Sequence, residues 1–205
     1  MAGQVVLVRH GETEWTLSGQ HTSRTDTPLT DPGRRQAEAL GSCLSTWRFA
    51  RVLASPMQRA LETCRLAGLG EAAEVLPGLK EWDYGEYEGR TTADIRKERP
   101  GWSLWKDGVP GGETIHHVGR RADRIVEDAR ATDGDVAVLS HGLFLRVLGD
   151  RWIGLEPVEG ARLFLATASI SVLGYERETR VIVEWNRDCH GLDPLTTTAR
   201  AWSAI

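Results

Sequence analysis

The sequence predicts an α/β protein with one domain, a mostly parallel central sheet, helices on both faces and a short insertion over the carboxyl edge of the sheet. Apolar segments rich in β-branched residues alternate with segments whose apolar residues recur every three or four positions. This order predicts parallel strands joined by right-handed helical crossovers. A chain of 205 residues can bury a full core as one domain. We expect that domain to comprise residues 1–205, with residues from about 186 onwards as a loosely held tail.

The first strand is predicted over the unbroken apolar run 5–8, which is typical of a strand buried on both faces. A short helix over Thr13–Leu17 and a polar loop over 18–28 are expected to follow. Thr30 fits the N-cap of the next helix, with Pro32 in its first turn. The buried face of this helix is predicted to contain Ala37, Leu40, Leu44 and Trp47.

The second strand is predicted over Arg51–Ala54, and Ser55 with Pro56 fits the N-cap and first position of another helix. Gly68 is expected to end that helix. The inward residues of the helix are predicted to be Met57, Ala60, Leu61 and Cys64.

Residues 74–112 interrupt the alternation of strands and helices with a glycine-rich, irregular insertion, in which one short helix is predicted from about Thr92 to Glu98. An insertion of this kind is more often functional than idle. Regular structure resumes with a helix from Glu113, a strand over Val136–Leu139 and a helix through Leu143, Val147 and Leu148. Segments 163–173 and 181–185, around a turn at 176–179, are predicted to form an antiparallel hairpin that closes the sheet.

The composition argues against several classes of protein. A formal net charge of −4 offers no basic face for nucleic acid, and no apolar run approaches the length of a membrane span. The three cysteines, Cys43, Cys64 and Cys189, are widely spaced, which argues against zinc and for a reduced compartment without structural disulfides. With no secretory leader at the amino terminus, we expect a cytoplasmic protein without cofactors, whose partner is a small molecule. A homodimer is compatible with the sequence.

Two strands carry the same ending, in which an apolar run leads to a histidine and then a glycine. If both strands lie in one parallel sheet, His10 and His141 emerge at the same carboxyl edge, the usual place for chemistry in this architecture. Arg9 precedes the first histidine, and Arg59 lies in the first turn of the helix after the second strand. Two guanidinium groups, two imidazoles and a helix N-terminus suit a phosphoryl group. The alternatives are a loop histidine without chemistry and, for Arg59, an exposed helical cation.

An acidic stretch in the insertion could supply the proton that a leaving alkoxide needs. Composition and spacing do not choose among Glu81, Asp83, Glu86 and Glu88, and a solvated acidic loop is the alternative. His116 and His117 lack the spacing of two ligands on one helix face, so we expect them at the surface. Trp82, Trp102 and Trp105 could wall a pocket or pack as core, and Cys43 and Cys64 are expected to pack as small core residues.

Four blocks, which span most of the chain in order, resemble the histidine phosphatase superfamily, the phosphoglycerate-mutase-like proteins. These blocks are Leu7–Thr13, Ser55–Ala60, Glu81–Gly89 and Ser140–Gly142. The resemblance implies that His10 is a nucleophile that becomes phosphorylated during turnover. It further implies that Arg9, Arg59 and His141 hold the phosphoryl oxygens and that Glu81 is the proton donor.

The sequence also departs from the pattern of that family. Thr16 stands where members often have Asn and Ser23 where they often have Gly, so hydroxyls of Thr16, Thr22 and Ser23 are the predicted peripheral phosphate contacts. The insertion from Arg90 to Gly112 is shorter than the basic insertion of the mutases, which favours a hydrolase. The details look closest to the broad acid phosphatases and sedoheptulose-bisphosphatase-like enzymes, which implies a sugar phosphate as substrate.

The leading hypothesis is therefore a metal-independent phosphomonoesterase that acts on small phosphorylated metabolites. The alternatives are a phosphoglycerate-type mutase and a binding module that recognises phosphorylated ligands without chemistry. A serine hydrolase built on Ser103 is a weaker alternative, because the segment around this serine lacks the second glycine of a nucleophile elbow.

Overall fold

The computed structural model describes residues 3–189, and the strands in this range form one mixed sheet. These strands are β1 (Val5–Arg9), β2 (Phe49–Ala54), β3 (Ala73–Val75), β4 (Asp135–Ser140), β5 (Ser169–Glu176) and β6 (Thr179–Asp188). Their order across the sheet is β3-β2-β4-β1-β5-β6. Strands β3, β2, β4 and β1 are parallel, whereas β5 is antiparallel to both β1 and β6. The predicted parallel sheet with an antiparallel closing hairpin is confirmed.

The helices lie between the strands and on both faces of the sheet. They are α1 (Glu14–Ser18), α2 (Asp31–Leu44), α3 (Gln58–Leu66), α4 (Thr92–Glu98), α5 (Leu104–Asp107), α6 (Ile115–Ala131) and α7 (Gly142–Trp152). Short 3₁₀ turns occur at Gly70–Ala72, Pro77–Leu79, Gly85–Tyr87 and Pro157–Arg162. Within residues 3–189, every helix falls short of the length and apolar character that a membrane span requires.

The central strands alternate their side chains between two separate cores. Val5 and Leu7 of β1 face the core that is covered by α4 to α7, whereas Val6 and Val8 face the core under α2 and α3. Strand β4 divides its side chains between the same two cores. Burial on both faces explains why these strands are apolar without interruption.

Threonine side chains cap the long helices where the sequence predicts their starts. The Thr30 hydroxyl accepts a hydrogen bond from the Gly33 amide at 3.0 Å at the start of α2, and Thr114 caps α6 in the same way. The buried face of α6 contains Val118, Ala122, Ile125, Val126 and Ala129. His116 and His117 are exposed on α6, as expected.

The local predictions were wrong at several element boundaries. Helix α3 begins at Gln58 with Met57 at its N-cap and no side-chain cap, because the Ser55 hydroxyl contacts a histidine instead. Strand β3 and helix α5 lie within the predicted irregular insertion. Trp47 lies beyond the end of α2, and β5 begins at Ser169 rather than in the 163 region.

The prediction that the chain has no structural disulfide is also wrong. Cys43 of α2 and Cys189 after β6 form a disulfide with a Cα–Cα distance of 6.2 Å. The two cysteines are 146 residues apart in the sequence, and only the packing of α2 beneath the sheet brings them together. Cys64 is buried in the core as expected.

Candidate active site

The carboxyl ends of β1 and β4 bring two histidines side by side. Arg9 and Ser140 are partners in the parallel register, and the His10 amide donates to the Ser140 carbonyl at 3.1 Å. The next residues, His10 and His141, therefore leave the sheet at one edge. Their ring centroids are 5.2 Å apart, with an interplanar angle of 63°. The structure thus gives the two histidines the shared edge that their strand endings predict.

The backbone around His10 fixes which ring nitrogen carries the proton. Nδ1 of His10 lies 2.7 Å from the carbonyl oxygen of Gly11, and a carbonyl can only accept. This contact assigns the proton to Nδ1, so the neutral ring keeps its lone pair on Nε2. The side chain is only 5% exposed. Nε2 thus carries an oriented lone pair in a buried site.

His141 has the opposite arrangement. Its Nε2 lies 2.7 Å from the Ser55 hydroxyl, and that hydroxyl oxygen also accepts from the Met57 amide at 3.4 Å. Among residues 3–189 the serine proton has no other acceptor, so we assign it to Nε2 of His141 and the ring proton to Nδ1. Nδ1 is buried and has no hydrogen-bond partner within residues 3–189. His141 presents an N–H donor where His10 presents a lone pair.

Both imidazoles are held in the neutral form. Burial, followed by the positive charges of Arg59 and Arg9, holds the pKa of His10 well below its usual 6.5. Burial and Arg59 also lower the pKa of His141, and His10 and Arg9 add smaller effects. A neutral imidazole is the form that attacks phosphorus, so this electrostatic environment suits a nucleophile.

Two arginine side chains lie at the same edge and retain free donors. Arg9 donates from Nη1 to the Leu165 carbonyl at 2.6 Å. Arg59 donates from Nη1 to the Thr25 carbonyl at 3.1 Å and from Nη2 to the Ser23 carbonyl at 3.4 Å. The Nε atoms of both arginines are buried and unpartnered in the described part of the chain. Together with Nδ1 of His141, they form a set of buried donors that suits an anion.

The charge of this cluster is mostly positive. Burial lowers the pKa of Arg9 and of Arg59, and the negative charge of Glu81 acts in the opposite direction at both. Arg59 is only 1% exposed, which excludes the alternative of an exposed helical cation; its contact with a phosphoryl group stays a prediction. Buried guanidinium groups that are not fully paired strengthen the field on any anion that enters.

Glu81 lies in the same cluster, at the N-terminus of α7. Its Oε1 accepts hydrogen bonds from the Phe144 amide at 2.8 Å and the Trp82 amide at 2.9 Å, and its Oε2 accepts from the Leu143 amide at 3.0 Å. Arg121 supports this segment by donating to the Glu81 carbonyl at 3.3 Å. The helix that follows His141 therefore also positions the carboxylate.

Burial separates the four acidic residues that the sequence leaves as alternatives. Glu81 is 7% exposed, whereas Glu86 is exposed. Asp83 accepts from the Gly85 amide at 2.9 Å and pairs with Arg24 at 3.5 Å. Glu88 accepts hydrogen bonds from Ser23 and Thr25, and these bonds outweigh the effect of burial, so that the pKa of Glu88 is below its ordinary value.

The three predicted hydroxyl contacts already have partners within the protein. Thr16 donates to the Thr13 carbonyl at 2.8 Å, and Thr22 donates to the Gln20 carbonyl at 3.0 Å. The Ser23 hydroxyl donates to Glu88 at 2.5 Å. The structure therefore gives these hydroxyls roles in shaping the loop, and their contact with a phosphate stays a prediction.

Sequence reasoning assigned Ser55 only a helix N-cap and gave no role to Thr63 or Tyr84. Thr63 accepts from the Gly11 amide at 3.0 Å and donates to the Arg59 carbonyl at 2.7 Å, which joins the end of β1 to helix α3. Tyr84 is buried beside Glu81, and burial together with this negative charge raises the pKa of its hydroxyl well above 10. The position of Ser55 directly after a strand was the one available signal, because both histidines occupy equivalent positions.

The tryptophans of the insertion pack as core. Trp82 is fully buried and donates from its indole to the Glu113 carbonyl at 2.9 Å, and Trp102 donates to the Gly108 carbonyl at 3.0 Å. Trp105 packs edge-on against Trp82, with Arg146 over its ring. These rings make the insertion a rigid support for Glu81.

Comparisons with known proteins agree with this geometry. The family model of the histidine phosphatase superfamily (branch 1) matches residues 5–188. The chain is 44% identical over 181 residues to an acid phosphatase of Mycobacterium tuberculosis, a match that covers 86% of this chain and 89% of that protein. It is 33% identical over 183 residues to sedoheptulose 1,7-bisphosphatase of Saccharomyces cerevisiae, covering 73% and 67%.

Solved structures are also similar. The crystal structure of an open-reading-frame product of Mycobacterium tuberculosis superposes with a TM-score of 0.87 at 40% identity. That superposition covers 93% of this chain and 100% of the other. The similarity therefore extends over the sheet, the helices and the insertion that carries Glu81.

Proposed function

Because the chain belongs to the histidine phosphatase superfamily and is a phosphatase, we propose that it hydrolyses small phosphate monoesters through a phosphohistidine on His10. The observation that carries this proposal is the pair of ring tautomers at the sheet edge. The His10 ring directs a lone pair from Nε2, and the His141 ring directs an N–H donor from Nδ1. One nucleophile and one donor are what an in-line attack on phosphorus requires.

In the first step, Nε2 of His10 attacks phosphorus, the P–N bond forms, and the bond to the leaving alkoxide breaks. Arg9, Arg59 and His141 stabilise the charge on the equatorial oxygens, which is the main source of catalysis in phosphoryl transfer. The alkoxide takes a proton from the protonated carboxyl of Glu81. In the second step, the Glu81 carboxylate takes a proton from water as the water attacks the phosphohistidine. Inorganic phosphate and free His10 are the products.

The amide donors around Glu81 hold its carboxyl group in place for both steps. Three backbone N–H groups, from Trp82, Leu143 and Phe144, contact its two carboxyl oxygens.

We propose a sugar phosphate as the substrate class. The relative from Saccharomyces cerevisiae is named for a sugar bisphosphate, and the chain is 33% identical to it over 183 residues. No cofactor enters this mechanism, and within residues 3–189 no cluster of histidine, cysteine or carboxylate side chains could hold a metal ion. A cytoplasmic location stays a prediction, and the cysteines no longer support it because two of them are bonded.

The test is hydrolysis of a generic aryl phosphate in the presence of a chelator, with His10→Ala as the control. We expect turnover by the wild type, no turnover by the variant, and an acid-labile phosphoenzyme after an alkaline quench with labelled substrate. Activity in His10→Ala would end the phosphohistidine proposal. Isomerised phosphoglycerate without free phosphate would indicate a mutase, and the absence of both turnover and phosphoenzyme would indicate a binding module.

A ranking of sugar phosphates and bisphosphates by kcat/KM then identifies the substrate class, because this ratio compares transition-state binding. We expect a sugar phosphate to exceed the aryl phosphate. The substrate proposal fails if phosphate esters without a sugar have a higher kcat/KM than every sugar phosphate.

A further inference from the structure

The loop that contacts Arg59 is hydrogen-bonded to the acidic segment of the insertion. Gln20 and Thr91 form an antiparallel bridge. The His21 amide donates to the Arg90 carbonyl at 2.9 Å, and the Gly89 amide donates to the His21 carbonyl at 2.8 Å. The loop over residues 20–25 and the segment over 88–91 therefore form one structural unit.

Glu88 holds the amide side of this loop. Its Oε1 accepts from the Ser23 and Thr25 amides, each at 2.9 Å. Its Oε2 accepts from the Ser23 hydroxyl at 2.5 Å. The Glu88 carboxylate thus accepts all of these hydrogen bonds, which come from Ser23 and Thr25.

Arg59 holds the carbonyl side of the same two residues. Its Nη1 donates to the Thr25 carbonyl and its Nη2 to the Ser23 carbonyl. The carboxylate of Asp26 is 3.9 Å away, and its side chain is 48% exposed, so it constrains the guanidinium weakly. The orientation of Arg59 therefore depends on where the two carbonyls point.

We propose that Glu88 is a positioning residue for Arg59, acting through the backbone of Ser23 and Thr25. Glu88 fixes the two amides, and the rigid backbone then fixes the carbonyls that orient the guanidinium. The free Nε of Arg59 is aimed at the phosphoryl group as a result. This inference rests on the proposed function, in which Arg59 holds phosphoryl oxygens.

The substitution Glu88→Gln would keep the shape of the side chain but remove one of its two acceptor oxygens. A carboxamide has one acceptor oxygen, and its NH₂ group is a donor. In either orientation of the Glu88→Gln carboxamide, its NH₂ group would face the Ser23 amide, which contacts both carboxylate oxygens of Glu88, so two donors would oppose each other there. The loop would shift, and Arg59 would move with it.

The first experiment compares Glu88→Gln with Glu86→Gln, which removes the same charge from an exposed side chain two positions away. We expect kcat/KM of Glu88→Gln for an aryl phosphate to fall roughly tenfold to a hundredfold, because small displacements of positioning groups have effects of this size. Inhibition by orthovanadate should weaken by a similar factor, since vanadate resembles the transferring phosphoryl group. Glu86→Gln should stay within about twofold of the wild type.

The second experiment is a double-mutant cycle with Arg59→Ala. If Glu88 acts through Arg59, Glu88→Gln should cost less than about threefold once Arg59 is absent. An equal loss in both backgrounds, or a Glu88→Gln variant as active as the wild type, would overturn the proposal. A general loss of structure would be equal in both backgrounds, so the cycle separates positioning from stability.

Ser23→Ala provides a milder version of the same test if Glu88→Gln does not fold. It removes the hydroxyl that donates to Glu88 and accepts from the Tyr84 amide at 3.3 Å, and leaves both amide contacts of Glu88 in place. We expect a smaller loss that again disappears in Arg59→Ala. A loss that persists there would overturn the proposal. Failure of the proposed function is distinguishable, because it would appear as activity in His10→Ala whatever the result for Glu88.

Discussion

The ends of β1 and β4 have the same local sequence pattern and opposite chemistry. Each strand delivers a histidine followed by a glycine to the same edge of the sheet. The β1 histidine contacts a carbonyl through Nδ1, and the β4 histidine contacts a hydroxyl through Nε2. The partner of a ring nitrogen, and not the local sequence, therefore decides whether the histidine offers a lone pair or a proton.

The glycines after the two histidines also differ in what lies against them. A Cβ added at Gly11 would lie 2.4 Å from the Gly33 carbonyl oxygen, which belongs to the backbone of α2. A Cβ added at Gly142 would lie 3.1 Å from Cζ of Arg9, which is the end of a side chain. The β1 end is therefore constrained by the fold and the β4 end by the site.

The strongest test of this comparison replaces each histidine in turn. We expect His10→Ala to lose on the order of 10⁴-fold or more in kcat/KM, because the covalent route is removed. His141→Ala should lose about 10²-fold to 10³-fold, the usual effect of one transition-state donor. The measurement is steady-state hydrolysis of an aryl phosphate, with phosphoenzyme trapped by alkaline quench. Phosphoenzyme in His10→Ala would reverse the assigned roles.

The glycines provide a second test. Gly11→Ala should lower the free energy of unfolding by about 1–3 kcal/mol, because its Cβ overlaps a backbone carbonyl that cannot move freely. Gly142→Ala should leave stability nearly unchanged, since alanine favours the helix, while activity falls about tenfold as Arg9 is displaced. Urea unfolding and kcat/KM of both variants check this contrast. Equal effects of the two substitutions on stability would contradict it.

A smaller effect is expected from Ser55→Ala. The substitution removes the hydroxyl that directs the proton of His141 to Nδ1, and one hydrogen bond of this kind is worth about 1 kcal/mol. We expect kcat/KM to fall about fivefold to tenfold, and the fall should vanish in a His141→Ala background. A loss of the same size in both backgrounds would mean that Ser55 does not act through His141.

The smallest effect is in the pH dependence, and here the two histidines should behave alike. Both have a pKa well below 6.5, chiefly because of burial. Their ring signals in NMR spectra should therefore not titrate between pH 7.5 and 5.5, assigned by comparison with His10→Ala and His141→Ala. Titration of either ring near 6.5 would contradict the buried, neutral state.

The same shifts affect stability. Below pH 6.5 these two histidines bind more protons in the unfolded chain than in the folded chain. Their contribution to the free energy of unfolding is therefore complete above this pH, and it is lost as the pH drops towards their pKa values in the folded protein. Each histidine should contribute about 1 kcal/mol to the loss between pH 7.5 and 5.5. His141→Asn should lose less stability over this interval than the wild type.

Much of the fold could be predicted from the sequence because the signals are local. The continuous apolar runs of β1 and β4 predicted strands. Thr30 with periodic apolar residues predicted α2, and periodic apolar residues after Glu113 predicted α6. The shared sheet edge then follows from the parallel direction of the strands, whose carboxyl ends meet at one edge. Hydrophobic period and capping depend on neighbours within a few residues, so no tertiary contact is needed to recognise them.

The composition of the candidate site was predicted in part, through the strand endings and the resemblance of four blocks. Residue chemistry alone left Glu81, Asp83, Glu86 and Glu88 as alternatives. Burial and the amides of α7 separate them, and the partners of Glu81 lie 62 and 63 residues away in the sequence. Contacts at such separations have no local pattern.

The sequence by itself determined the order of the elements, the parallel sheet and the strand ends where chemistry is expected, because propensity and hydrophobic period act over short distances. The tertiary structure was needed for three further features. These are the tautomers of His10 and His141, the burial and amide partners that distinguish Glu81 from the other acidic residues, and the bond between Cys43 and Cys189. Each of these depends on a partner from a distant segment or on backbone geometry. The position of such a partner is set only when the whole core has packed.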